Sequence, residues 1–86
     1  MEDFHQETVW AVSAERIEVY LEALPCLRET GAGAYEGDGV RVAVTALPPR
    51  SLAGMPIPQT RVQISGGGEA REFERTFTLQ FISAGG

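Results

Sequence analysis

The apolar positions of this chain repeat with two different periods. After Ser13, the residues Ile17, Tyr20, Leu21, Leu24 and Leu27 recur at steps of three and four, which puts them on one side of a helix. Elsewhere the step is two. Val40, Val42, Val44 and Ala46 alternate with Arg41, Ala43, Thr45 and Leu47, and Val62 and Ile64 repeat the alternation within 61–65. Both stretches read as half-buried strands. Near the end, Phe73, Phe77, Leu79 and Phe81 lie at even separations, with Glu72, Glu74, Thr76, Thr78 and Gln80 between them. That pattern predicts a last strand with one apolar face. Residues 4–12, apolar on both faces around Val9 to Val12, predict a first strand inside a sheet.

The punctuation sharpens these elements. Ser13 is placed to cap the helix through its hydroxyl, and Glu15 to favour the positive end of the helix dipole. Pro25 removes a helical hydrogen bond, so the helix stops near Leu24. Gly31-Ala32-Gly33 then begins the sheet, and Asp38-Gly39 suits a tight turn between Tyr35 and Val40. A proline-rich connection over 48–58 carries Leu52, Met55 and Ile57, and is expected to cover the end of the sheet. Gly66-Gly67-Gly68 would need a following helix N-terminus to cradle phosphate. With a strand expected next, it reads as a hairpin turn. The expected order is β-α-β-β-β-β, an α+β fold with one helix packed on a curved antiparallel sheet of four to five strands.

Several of these residues stand in a familiar order. Val9-Trp10, then Leu24-Pro25-Cys26, then Gly31-x-Gly33-x-Tyr35 and Val40-x-Val42 resemble the opening of the helix-grip domains of the START/polyketide-cyclase superfamily. The branch associated with carbon monoxide dehydrogenase is the most similar. The resemblance covers about half the chain and rests on packing residues. It implies a curved sheet that binds an apolar ligand against a long C-terminal helix. Only Ser83-Ala84-Gly85-Gly86 follows Phe81-Ile82, so that helix is expected to be missing. The remainder is similar to a reduced half-fold of TATA-binding-protein type. The ending Gly85-Gly86 resembles the tail of ubiquitin-like sulfur carriers, such as the small subunit of molybdopterin synthase. In that alternative, Gly86 would supply an unhindered terminal carboxylate for activation.

Composition narrows the function classes. Eighty-six residues with 43% apolar and 22% charged side chains suit one small globular domain, residues 1–86. The net charge of −5 argues against nucleic acid, whose phosphates need clustered positive charge. All seven basic residues are arginine, which removes lysine nucleophiles and Schiff bases. No apolar run is long enough to span a membrane, and Met1-Glu2-Asp3-Phe4 is acidic where a secretory signal is basic. A cytoplasmic location is therefore expected. One cysteine, Cys26, excludes an intrachain disulfide, and with His5 as the single histidine no metal-ligand pattern emerges.

No catalytic set is visible, and no cofactor motif. Arg75 is the one charge on the expected face of Phe77, Leu79 and Phe81; its guanidinium could meet an anionic ligand, or pack its stem on the face and reach water. Trp10 and Tyr35 read as core or interface anchors. Arg75, Phe77, Leu79, Phe81 and Trp10 thus form the expected ligand or interface face. Its occupant would be a second copy in a homodimer, another protein, or an apolar small ligand. The function expected is a non-enzymatic binding or interaction domain, with the Gly-Gly carrier as the alternative.

Overall fold

The computed structural model describes residues 3–85, with side chains through Ile82. Strand β1 (Phe4–Trp10) leads into helix α1 (Ala14–Glu22), followed by β2 (Leu27–Gly31), β3 (Ala34–Gly37), β4 (Val40–Leu52), β5 (Met55–Gly66) and helix α2 (Gly68–Gly85). The strands form one antiparallel sheet in the order β1-β5-β4-β3-β2. Both helices lie against it, so the fold is α+β.

Most of the first half follows the expected logic, but β1 is an edge strand beside β5 and not inside the sheet: Val9 is exposed, so the strand buries one face only. The Ser13 hydroxyl accepts a hydrogen bond from the Arg16 amide at 3.3 Å, satisfying one of the free donors of the first turn. Ile17 and Leu21 are fully buried, as the periodicity requires, but α1 stops at Glu22 and Leu27, expected on the same helical face, opens β2 beyond Pro25 instead. The Asp38-Gly39 turn stands between β3 and β4, as its residue types require. Gly31-Ala32-Gly33 differs: Gly31 closes β2, which starts at Leu27, and Ala32-Gly33 form the turn from β2 to β3.

The larger correction concerns the end of the chain. Residues 68–85 are not a turn and a strand but an 18-residue helix. Ala70, Phe77 and Phe81 are buried and Phe73 packs against them, a 3-4-4 spacing that lines one helical face. Leu79 falls on the far side and is 62% exposed. The helix formers Glu69, Ala70, Arg71, Glu72 and Glu74 favour this outcome locally. The Thr78 hydroxyl donates to Glu74 one turn earlier at 2.7 Å. The apolar face of the sheet is therefore covered by the chain's own second helix.

The entry to α2 depends on glycine. Gly66 has φ 143°, and a Cβ there would collide with the Gly39 carbonyl. That carbonyl accepts from the Gly67 amide at 3.1 Å, locking the start of β4 to the end of β5 where the chain turns into α2.

On the helix side of the sheet, Val42 pairs with Ile64 and Val44 with Val62, and all four are buried. Thr60, buried on the same face, donates to the Val12 carbonyl at 2.6 Å. This bond ties the β1–α1 connection to β5 and satisfies an otherwise costly buried hydroxyl. The opposite face is polar, with Glu7 pairing with Arg61 at 3.2 Å.

The 48–58 segment does not cover the sheet. β4 and β5 continue through it as a hairpin, closed by Ala53 and Gly54 at φ 53° and 79°. Two successive positive φ angles match the right-handed strand twist of a two-residue turn. The molecule measures 46 × 22 × 19 Å, the long dimension matching β4's thirteen residues at about 3.3 Å each. Among the described residues this arm has no neighbouring strand on either side, because the β1 pairing reaches only to Thr60 and the β3 pairing only to Ala43.

Helix and strand readings of the last segment predict different mutational costs. Phe77→Ala should lower the unfolding free energy by about 3–5 kcal/mol. Leu79→Ala should change it by less than about 0.5 kcal/mol, as an exposed site does. Urea denaturation of both variants checks the pair; a strand would make both costly.

Candidate functional site

Two helices on one sheet leave a gap where they diverge. At the end of the sheet near the β3–β4 turn, Tyr20 and Leu24 on one side face Phe73 and Thr76 of α2 on the other. Val40 lies beneath, and together they line a groove of about 420 Å3. Its wall is mainly apolar, and Asp38, Glu69, Glu72 and Cys26 join the lining from its rim. The volume lies within the roughly 300–1,000 Å3 typical of small-molecule pockets.

Each wall follows from the sequence. Leu24 and Cys26 flank Pro25, which ends α1 and swings the chain toward β2. Tyr20 is held edge-to-face against Phe77 at 6.0 Å and Phe81 at 5.3 Å. Burial, and secondarily the neighbouring Cys26, push its phenol above the ordinary tyrosine range. The Cys26 thiol is free and exposed.

The rim is acidic, which bears on the glycine run. A helix N-terminus does follow Gly66-Gly67-Gly68, the condition that phosphate binding requires. Yet Glu69 occupies its first turn, with Asp38 also on the rim, so an incoming anion meets carboxylates before amides.

A second cluster sits behind α1. Glu18, Glu22 and Glu29 bring carboxylate oxygens within 4.8 Å of one another, the single such group of three metal-type ligands among the described residues. The buried Tyr35 supplies one hydroxyl proton to this cluster, 2.9 Å from Glu18 and 3.2 Å from Glu22. Burial first, then the hydrogen bond and charge of Glu18, hold its phenol far above the usual range. The arrangement anchors α1 to β3; Glu18 is half-buried there, while Glu22 and Glu29 stay exposed.

The residues grouped as one face by sequence separate in the structure. Trp10, Phe77 and Phe81 meet in the core: Trp10 lies 5.8 Å from Phe77, edge-on, and 6.3 Å from Phe81. Its indole N–H donates to the Thr8 hydroxyl at 2.9 Å. Arg75 and Leu79 are exposed on the outer side of α2. A dimer contact through Phe77 and Phe81 is thus replaced by contacts within the chain. α2 includes Gly85, while Gly86 lies outside the described residues. The groove residues Leu24, Cys26, Glu69 and Glu72 escape a sequence reading because a final strand leaves no second helix to form the groove's wall. Ala70, three residues before Phe73, is the signal that could have found it.

No helix among the described residues is long and apolar enough to cross a membrane. Compared with protein-family models and with curated proteins, the chain matches none.

The Tyr35 contact makes stability depend on alkaline pH. Its folded pKa lies above the unfolded value of about 10, so its contribution is complete below that pH and is lost as pH rises. Urea unfolding should show falling stability from about pH 10 upward. Tyr35→Phe should flatten that fall, with Tyr20 retaining part of it, and cost about 0.5–1.5 kcal/mol at neutral pH for the lost hydrogen bond.

Proposed function

We propose that this protein is a non-enzymatic binding domain of helix-grip type whose binding site is the apolar groove between α1 and α2. The groove itself carries this reading: a concave apolar wall with a few polar groups on its rim, between a sheet and the C-terminal helix that packs on it. The α2 helix removes the main departure from the resemblance to the START/polyketide-cyclase superfamily, where an apolar ligand lies between those two elements. The acidic rim formed by Asp38, Glu69 and Glu72 selects against anions. The matching occupant has an apolar body and a neutral or cationic polar end. Homodimerisation belongs to this reading as a property of the same surface. An exposed free thiol at Cys26 suits a reducing, cytoplasmic compartment.

The groove contains its own reporter. An apolar fluorescent dye should bind the chain at sub-micromolar protein concentration and slow alkylation of Cys26. Thr76→Trp, which fills the groove from an exposed position, should weaken dye binding by at least about tenfold. Leu24→Asp should do the same. Dye binding unchanged in both folded variants would move the site elsewhere.

A further inference from the structure

The β4–β5 arm presents two unlike faces. Directly paired residues share a face of a sheet, and the register pairs Leu52 with Met55 and Arg50 with Ile57. These four side chains therefore stand together. Ser51 and Pro56 point the other way. Leu52 and Met55 are 63% and 64% exposed, so a largely apolar tip projects into solvent beside one arginine. A register shift between Leu47 and Arg50 sets up this face. Upstream of it, even-numbered β4 residues point to the core; downstream, the even-numbered Arg50 and Leu52 oppose odd-numbered residues of β5.

The arm is protected against adding a strand along β5. In an antiparallel pair, amides alternate between the partner and the outside. With Leu52 and Met55 closing the turn, the amides of residues 56 and 58 face outward. Both positions are proline, so two successive free donors are absent from that edge. The arm is thus suited to docking through side chains.

Charge indicates where it docks. From Thr45 to Thr60 the single charged residue is Arg50, in a chain of net charge −5. The α1–α2 groove has the opposite character: an apolar wall with Asp38, Glu69 and Glu72 on its rim. An apolar tip with one guanidinium complements an apolar groove edged with carboxylates. The arm cannot reach the groove of its own chain. Val40 lies at the groove and Leu52 at the tip, twelve residues apart on one continuous strand, or about 40 Å. Only another copy can bring them together.

We infer that two copies form a symmetric dimer in which the arm of each, through Leu52, Met55 and Arg50, occupies the groove of the other. With the long axes antiparallel, a two-fold axis makes both contacts at once and closes the assembly. Each contact then holds the other at high effective concentration. This inference rests on the groove being a binding site, and it names the occupant.

Sedimentation equilibrium and Cys26 alkylation on the full chain test it. The wild type should be a dimer at micromolar concentration, with Cys26 protected. Leu52→Asp with Met55→Asp, both at exposed positions, should leave circular dichroism unchanged while giving a monomer with a fast-reacting Cys26 and a Tm that no longer rises with protein concentration. Arg50→Glu should weaken the dimer by at least about tenfold, and Glu72→Arg in the same chain should restore part of the loss. A wild-type monomer would overturn the inference, as would a dimer that survives the arm substitutions. Loss of the dimer without faster alkylation would also overturn it, by placing the arm somewhere other than the groove. Dye binding separates this result from the broader reading. A monomeric wild type that still binds dye through the groove ends the dimer and keeps the binding site; a monomer that binds none ends both.

Discussion

Phe77 holds the two halves of the molecule together. It is 1% exposed and has an aromatic neighbour from each adjoining element: Trp10 of β1 at 5.8 Å, Tyr20 of α1 at 6.0 Å, and Phe73 and Phe81 of its own helix at 6.5 and 4.7 Å. Edge-to-face pairs contribute about 0.5–1.5 kcal/mol each beyond the area they bury. The larger effect is geometric. Five strands supply a face too wide for the nine-residue α1 alone, and α2 must dock beside it. The ring of Phe77 fixes how the two helices share the sheet. Arg71 adds an outer restraint, stacking over Phe4 of β1 at 5.3 Å.

The groove follows from that constraint. The aromatic cluster pins α1 and α2 together near Phe77 and Phe81, toward the β1 side. Nearer the β3–β4 turn the two helices diverge, and Tyr20 and Phe73 line the gap from opposite sides. Phe73, stacked on Phe77 at a 17° interplanar angle, is the last aromatic before the gap. Pro25 has already ended α1, so the segment from Leu24 to Cys26 borders the gap instead of filling it. Packing that is tight at one end and open at the other leaves a hollow with apolar walls. The acidic rim belongs to the turn and to the first residues of α2, which favours carboxylates near its N-terminus. Shape and charge of the groove thus have separate structural causes.

How much of this is legible in the sequence depends on which periods can be told apart. The α1 face is clear because steps of three and four exclude a strand. The Asp38-Gly39 turn is clear because its residues suit the required angles. The final segment is not. Phe73, Phe77 and Phe81 are four apart, and a spacing of four satisfies both a two-residue and a 3.6-residue repeat. Leu79 tips the reading toward a strand, although on a helix an isolated exposed leucine is ordinary. The three-residue step from the buried Ala70 to Phe73 breaks the ambiguity in favour of a helix. The site is hidden for the same reason, since one of its walls is α2. Trp10 is an anchor, as expected, but its partners lie some seventy residues away and no local pattern names them.

The arm shows a different limit of local reading. Four prolines between Pro48 and Pro58 suggest a loop when strand propensity is judged residue by residue. Proline is excluded only where an amide must donate to a neighbour, and among the described residues no third strand pairs with the arm. Its outward amides have no strand to serve, so Pro56 and Pro58 fit without loss of pairing. The extra residue at Pro48-Pro49 is accommodated as a register shift in β4, and that shift changes which side chains face outward. The segment with the weakest strand signal therefore becomes the longest projection of the fold. Its unusual composition, many prolines and a single charge, blocks strand addition along β5 while exposing Leu52 and Met55. An arm built this way discriminates by side-chain shape and by the charge of Arg50, which a hydrogen-bonding strand edge does not do. That selectivity suits a contact with one acidic-rimmed groove and disfavours indiscriminate sheet extension.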